Sequence, residues 1–381
     1  MTTTNKKKEA LVHIAKRSDM PAWKAWTIRG IAILAAFIVS GIMCLILTKG
    51  KEFGDFYVQM FKGAFGTERR TLNLFQDWAM LMCISLAVTP AFKMKFWNIG
   101  AEGQTLIGAL SSAIISWYLG GKIPEAALII LMLFAGIIGG AVWGVIPAIF
   151  KAKWNTNETL FTLMMNYIAI QLVLYFTNLW LTNAAGDLSK TSLGELPGGS
   201  FAYALGKAYL INVVIVTVLT AILFVYMKYS KHGYELEVVG ESVNTAKYVG
   251  INVKKVIIRT MILSGALCGI AGFLLVGGIP APTVSDTTVG GRGFTAILVS
   301  WLAQFNPLIM IGATLLVVFM QKGAGQAATQ FSIGASEAFG NVIVGLFFLI
   351  LIASEFFVRY KVVFKSKKGK QKVMKVVEGV K

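Results

Sequence analysis

Long apolar runs separated by short polar intervals dominate this chain. They fall at 31–47, 72–92, 101–119, 125–150, 158–181, 208–228, 256–277, 292–304, 306–321 and 341–358. A helix needs about 17–25 apolar residues to cross roughly 30 Å of hydrocarbon. The eighth run is short, so it reads as a short or re-entrant helix. The pattern predicts an all-α, polytopic membrane protein with about ten transmembrane helices. A basic tail (1–30), a transmembrane body (31–358) and a second basic tail (359–381) divide the chain. The first run follows a long basic region, and no small-residue cleavage motif comes after it. It reads as a signal anchor rather than a cleaved signal peptide.

One stretch breaks the apolar pattern, FWNIGAEGQTLIG at Phe96 to Gly108. Asn98, Glu102 and Gln104 are set among Gly100, Gly103 and Gly108, and a hydrophobic run follows at once. A carboxylate at the centre of a bilayer costs about 2.5–3.5 kcal/mol on insertion scales, so it should face protein or a polar cavity. Glycine on both sides lets the backbone unwind or approach closely. The stretch reads as a broken or re-entrant helix lining a solute path. The alternative is a helix-packing network, because small and polar residues also join membrane helices. A similar glycine-rich opening, Thr288 to Phe294, precedes the short run. Two glycine-interrupted segments in the two halves point to a repeat-built transporter with its path between them. Asn166, deep in the fifth run, is a further path candidate, with interhelix hydrogen bonding as its alternative. Asn157 reads as a helix cap with Glu158 in the first turn. Glu337 and Glu355 lie near the ends of the last run, where snorkelling accounts for them.

Two loops are long. Residues 182–207 are rich in Gly and Ser and read as an irregular extracellular loop. Residues 229–255 alternate Glu235, Glu237, Glu241, Asn244 and Lys247 with apolar positions. This predicts one or two short amphipathic helices beside the membrane, separated at Gly240 and stopped at Gly250. They offer a shaped surface to a cytoplasmic partner. The plain alternative is an ordinary interfacial connection.

Charge orients the chain. Twenty-six of the 36 Lys and Arg fall on one side of a ten-span arrangement with both termini cytoplasmic. The loop 49–70 carries five of the remainder and fits least well. The net charge of +18 would suggest nucleic acid in a soluble protein. Here the basic clusters flank apolar runs, so anionic membrane lipid is the expected partner and no nucleic acid is. The chain is 56% hydrophobic and 14% charged, with a mean hydropathy of +0.69. No interval is long enough for a soluble catalytic domain. The three cysteines lie in apolar runs, and the two histidines are far apart, so no metal site or cofactor is expected. No GxxxxGK[ST] phosphate loop and no hydrolase motif occurs. An active transporter of this kind takes its energy from another subunit.

Four segments carry a resemblance: FWNIGAEGQTLIGA (96–109), NETLFTLMMNYIA (157–169), GESVNTAKYVGINVKKVIIRTMILSGALCGIAG (240–272) and GGRGFTAILVSWLAQFNPL (290–308). In this order, over about 90–320, they resemble permease subunits of ABC importers of the monosaccharide and branched-chain amino acid branch. NIGAEGQ is similar to the nucleoside-type members that work with basic-membrane-lipoprotein binding proteins. The resemblance implies a multi-pass cell-membrane permease that is not an enzyme and moves nucleosides inward by alternating access. It also implies cytoplasmic ATPase subunits, a second homologous permease forming a heterodimer, and an extracellular substrate-binding lipoprotein. Asn98, Gly100, Glu102, Gln104 and Asn166 are then the expected path or gate. By position, 234–251 looks like the segment that docks on the ATPase, with Glu235, Glu237, Gly240, Glu241, Asn244, Tyr248 and Gly250 as coupling residues. A monosaccharide such as ribose is the rival solute. A secondary transporter or channel, and a membrane scaffold or enzyme, are the other classes. The chain departs from its relatives at Thr159 and at Trp301 with Ala303-Gln304-Phe305, where the usual run is smaller and contains Gly.

Overall fold

The computed structural model describes residues 12–16, 20–48, 53–185, 195–333 and 336–364. Among them are thirteen helices: α1 (Ala22–Leu47), α2 (Phe53–Phe65), α3 (Glu68–Lys93), α4 (Ala101–Leu119), α5 (Glu125–Trp154), α6 (Glu158–Ala185), α7 (Leu210–Tyr229), α8 (Lys231–Glu241), α9 (Val243–Tyr248), α10 (Val253–Gly277), α11 (Arg292–Leu302), α12 (Pro307–Gln330) and α13 (Ser336–Arg359). Two short strands, β1 (Val12–Lys16) and β2 (Tyr360–Phe364), pair antiparallel with Val12 opposite Phe364.

Eight helices among the described residues are long and apolar enough to cross a membrane: α1, α3, α5, α6, α7, α10, α12 and α13. This is two fewer than the ten expected. At eleven residues α11 is only about 16 Å long. The 19-residue α4 carries Glu102, Gln104 and a run of serine and threonine that lower its hydropathy.

Other differences are local. The expected loop 49–70 contains α2, with Asp55 in its first turn and Lys62 in its last. The expected loop 182–207 begins inside α6, which continues to Ala185. Its residues 186–194 lie outside the described set. The helix break expected at Gly240 falls at Ser242 instead. Gly240 lies inside α8, where its lack of a side chain serves close contact with the Lys93 carbonyl rather than a helix break. Ser242 starts the next helix by accepting from the Thr245 amide. Gly250, at φ +84°, follows α9 as expected.

The described residues form two compact units, divided between Val58 and Gln59 and again between Ala327 and Ala328. In the first, α1 packs on α13. Glu355 pairs with Arg29 and with Arg359, both at 3.1 Å, so it is neutralised by partners and does more than snorkel. In the second, α3 and α10 are central. Buried residues make up 72% and 78% of their apolar windows, against 22% for α5 and 28% for α6. A glycine seam brings α5 and α10 together: Gly136, Gly140 and Gly144 on one helix face Gly265 and Gly269 on the other. A Cβ at Gly269 would fall onto the Gly136 carbonyl, and one at Gly140 onto that of Gly265. Small residues at four-residue spacing let the backbones touch, which is how helices associate without a hydrophobic driving force. Gly108 of α4 joins the seam against Gly269.

Candidate functional site

The first interruption starts where α3 ends. After Lys95, in the left-handed region at φ +59°, the chain runs without regular structure from Phe96 to Ile99 and re-enters helix at Ala101. Backbone groups in such a break need partners, because hydrocarbon supplies none. They find them on α6. The Ile99 amide donates to Thr162 Oγ1 at 3.2 Å. Asn166 accepts from the Gly103 amide and donates to the Ile99 carbonyl, both at 2.9 Å. Gly103 must lack a side chain, since a Cβ would lie 2.8 Å from Asn166 Oδ1. Asn98 and Gln104 exchange two amide hydrogen bonds of 3.2 Å. Asn98 also donates to Ser264 of α10 and accepts from the Gly100 amide. All four polar side chains of the predicted path are therefore buried and bonded to protein.

Glu102 connects this interruption to the second. Its carboxylate accepts from the Gly291 amide at 2.8 Å and the Gly293 amide at 2.7 Å. These are amides at the N-terminus of α11, where donors lack intrahelical partners and the helix dipole favours an anion. Gly291 is left-handed at φ +77°, and a Cβ at Gly293 would lie 2.5 Å from the Glu102 amide nitrogen. The Gly-Gly-Arg-Gly sequence is thus shaped to seat a carboxylate. Between its glycines, Arg292 reaches Asp77 of α3 at 2.6 Å, and Lys322 of α12 reaches the same carboxylate at 2.5 Å. Sequence reasoning did not select Asp77 or Lys322. The available signal was a carboxylate inside an apolar span, which demands a partner. Its partners Arg292 and Lys322 lie 215 and 245 residues away.

At their other ends the two interruptions meet through aromatic rings. Trp97 and Trp301 have centroids 5.5 Å apart, and Phe305 stacks on Phe92 at 6.3 Å. Both indoles stay nearly half exposed, at 42% and 46%. Gln304 and Phe305 are left-handed at φ +51° and +57°. Glycine is the residue that adopts this conformation without strain. Here the turn is made without it, against a strain of roughly 1–2 kcal/mol per residue, and the ring contacts hold it.

The predicted coupling segment is α8, α9 and the turn at Gly250. Leu236, Val239 and Ala246 are buried with Ala91, Met94, Phe96, Val256 and Met261. Burying Leu236 and Val239 contributes roughly 1.5–3 kcal/mol each. Phe96, the first residue of the interruption, lies in that same cluster. Glu237, Glu241, Asn244 and Tyr248 are exposed, Tyr248 at 92%. Glu235 is half buried, and Gly240 is buried against α3. Glu237 pairs with Lys93 at 3.6 Å. Asn157 caps α6 by accepting from Leu160, and Glu158 pairs with Lys151 at 2.8 Å.

His232 anchors α8. Its ring nitrogens bond Tyr226 Oη at 2.7 Å and Thr260 Oγ1 at 3.1 Å. Burial pushes its pKa below the usual value, Arg259 adds to this, and Glu235 opposes it. A folded-state pKa below the unfolded one means the unfolded chain binds the proton more readily. The contribution is therefore complete above about 6.5 and is lost as pH falls from there toward the folded value. The protection factors of the amides of residues 231–241, with the intrinsic pH dependence of exchange divided out, should fall on acidification below that point. The pH dependence should flatten in His232→Gln.

Comparison with known proteins follows this geometry. Residues 70–352 match the family described as branched-chain amino acid transport system / permease component. A glucose ABC transporter permease protein of Haloferax volcanii is 27% identical, covering 91% of this chain and 92% of its own. A nucleoside ABC transporter permease protein of Lactococcus lactis is 27% identical over 77% of this chain and 82% of its own. A guanosine ABC transporter permease protein of Bacillus subtilis is 26% identical over 89% of this chain and 96% of its own. With the family's pattern covering most of its length and eight apolar helices able to span a bilayer, the chain is an integral membrane transport component and belongs to the branched-chain amino acid transport system permease family.

Proposed function

We propose that this chain is one permease subunit of an ABC importer that moves nucleosides inward, driven by ATP hydrolysed on separate cytoplasmic subunits. The observation that carries the transport mechanism is the Glu102 carboxylate seated on the Gly291 and Gly293 amides. It makes two broken segments, 191 residues apart in sequence, into one mechanical unit. The nucleoside assignment is supported by NIGAEGQ and by two relatives named for nucleosides or guanosine. Monosaccharide import is the second reading, favoured by the glucose permease that matches 91% of this chain.

In this reading α4 and α11 join the eight apolar helices to make ten membrane segments, with both termini cytoplasmic. A second homologous permease completes the pore, and an extracellular lipoprotein delivers the solute. Asn98, Gly100, Gln104 and Asn166 hold the shape of the gate, and Glu102 carries its motion to α11. The ATPase presses on the exposed face of α8 and α9. The shared cluster of Leu236, Val239, Met94 and Phe96 passes that displacement to the first interruption. A packed contact of this kind transmits movement because dense cores do not deform continuously. The exposed Trp97 and Trp301 offer a stacking face, and base–aromatic stacking is worth about 1–3 kcal/mol.

Labelled nucleoside uptake, compared in cells lacking and expressing the chain, tests the assignment. Excess unlabelled nucleoside should abolish uptake, and excess ribose or glucose should leave it. Competition by the sugar alone would transfer the assignment to monosaccharides. Glu241→Arg should leave membrane insertion intact while ATP hydrolysis proceeds without uptake. Unchanged uptake in that variant would count against α8 and α9 as the docking surface.

A further inference from the structure

On the face that carries α8 and α9, a cleft of about 650 Å³ opens between these helices and the ends of α3, α5, α6 and α10. Lys95, Lys151, Lys153, Lys247 and Lys254 line it, against Glu158 and Glu241. Glu158 is already bonded to Lys151. The cleft therefore keeps a clear excess of positive charge, most of it open to solvent.

Local structure explains only part of that charge. Lys151 and Lys153 sit in the last turn of α5, where the helix dipole favours cations. Lys254 does not fit this account. It lies in the first turn of the 25-residue α10, beside Lys255, with no acidic residue in that turn. There the dipole opposes a cation. Lys95, at φ +59° just beyond the end of α3, lines the same cleft. Lys254 is thus placed against the local dipole, in a cleft that already holds four other lysines, and an anion there would offset that charge.

We infer that this cleft binds an anionic phosphate ester, supplied by a lipid headgroup of the adjacent leaflet or by a free phosphate compound. The bound group joins the end of α3, the end of α5, α9 and the start of α10. It thereby fastens the coupling segment to the helices it moves. The inference does not depend on which solute is carried.

The purified permease in neutral detergent tests it with three probes: dioleoylphosphatidylglycerol, dioleoylphosphatidylcholine and inorganic phosphate. Binding of each lipid is read by native mass spectrometry. Phosphatidylglycerol should bind at least about tenfold more tightly than phosphatidylcholine, and its binding should weaken with salt. The Lys247→Gln/Lys254→Gln variant should lose about tenfold in phosphatidylglycerol affinity. Lys228→Gln, outside the cleft, should not. Displacement of phosphatidylglycerol by millimolar phosphate would place the source in free phosphate compounds. Resistance to displacement would place it in the lipid. Lys153→Gln gives a second reading should the double variant fail gel filtration. Equal affinity for the two lipids, or unchanged phosphatidylglycerol binding in folded variants, would overturn the site.

Discussion

Glu102→Ala should cut uptake by at least about a hundredfold while leaving the amount of membrane-inserted protein within about twofold. The two effects separate for physical reasons. The carboxylate receives two amide hydrogen bonds at 2.7 and 2.8 Å. Hydrogen bonds to charged groups contribute about 1.5–3 kcal/mol each, and their loss leaves buried donors unpaired. Roughly 3 kcal/mol in the position of α11 corresponds to about a hundredfold in the population of the seated state. Insertion follows a different rule. Removing a carboxylate from an apolar segment makes insertion easier, by about 2.5–3.5 kcal/mol on translocon scales. Glu102→Gln keeps an acceptor for one amide and should fall between the two. Uptake per cell and quantitative blotting of the membrane fraction check this. Proportional loss of uptake and protein would show that Glu102 serves packing alone.

The second large effect falls on folding. In an exposed helix interior, Gly→Ala stabilises by about 1 kcal/mol. At Gly269 the sign should reverse. The new Cβ would fall onto the Gly136 carbonyl, and that backbone atom cannot rotate away. Relief requires α5 and α10 to separate, opening the seam shared by Gly136, Gly140, Gly265 and Gly108. Monodisperse protein recovered in mild detergent should drop by at least about tenfold in Gly269→Ala, since overpacking against backbone exceeds the usual 1–3 kcal/mol. Gly312→Ala, with nothing within 4 Å of its Cβ, should be recovered normally. Equal yields would mean that the seam opens at little cost.

Much of the helical framework was legible because apolar runs of membrane length have few other uses. Length alone marked α11 as short or re-entrant, and at eleven residues it is short. The polar interruption at Phe96 to Gly108 was legible as well, since a carboxylate among glycines has no place in plain hydrocarbon. Its meaning was not. Asn98, Gln104 and Asn166 read either as path or as packing, and the structure gives each of them protein partners. The partner of Glu102 could not be read locally, because the amides of Gly291 and Gly293 belong to backbone and leave no side-chain signal. Asp77 with Lys322 escaped for a related reason, since the two are 245 residues apart and nothing local to either names the other. Gly240 was read as a breaker, yet its small size serves contact with Lys93, a purpose that only tertiary structure reveals.

Hydrogen–deuterium exchange at the amides of Gly291 and Gly293 tests most directly whether one carboxylate unites the two interruptions. In the native chain the segment 289–295 should exchange slowly. In Glu102→Ala it should exchange at least about a hundredfold faster, with 105–116 of α4 unchanged. Equally slow exchange in both proteins would contradict the account, because something other than Glu102 would then be holding α11 in place.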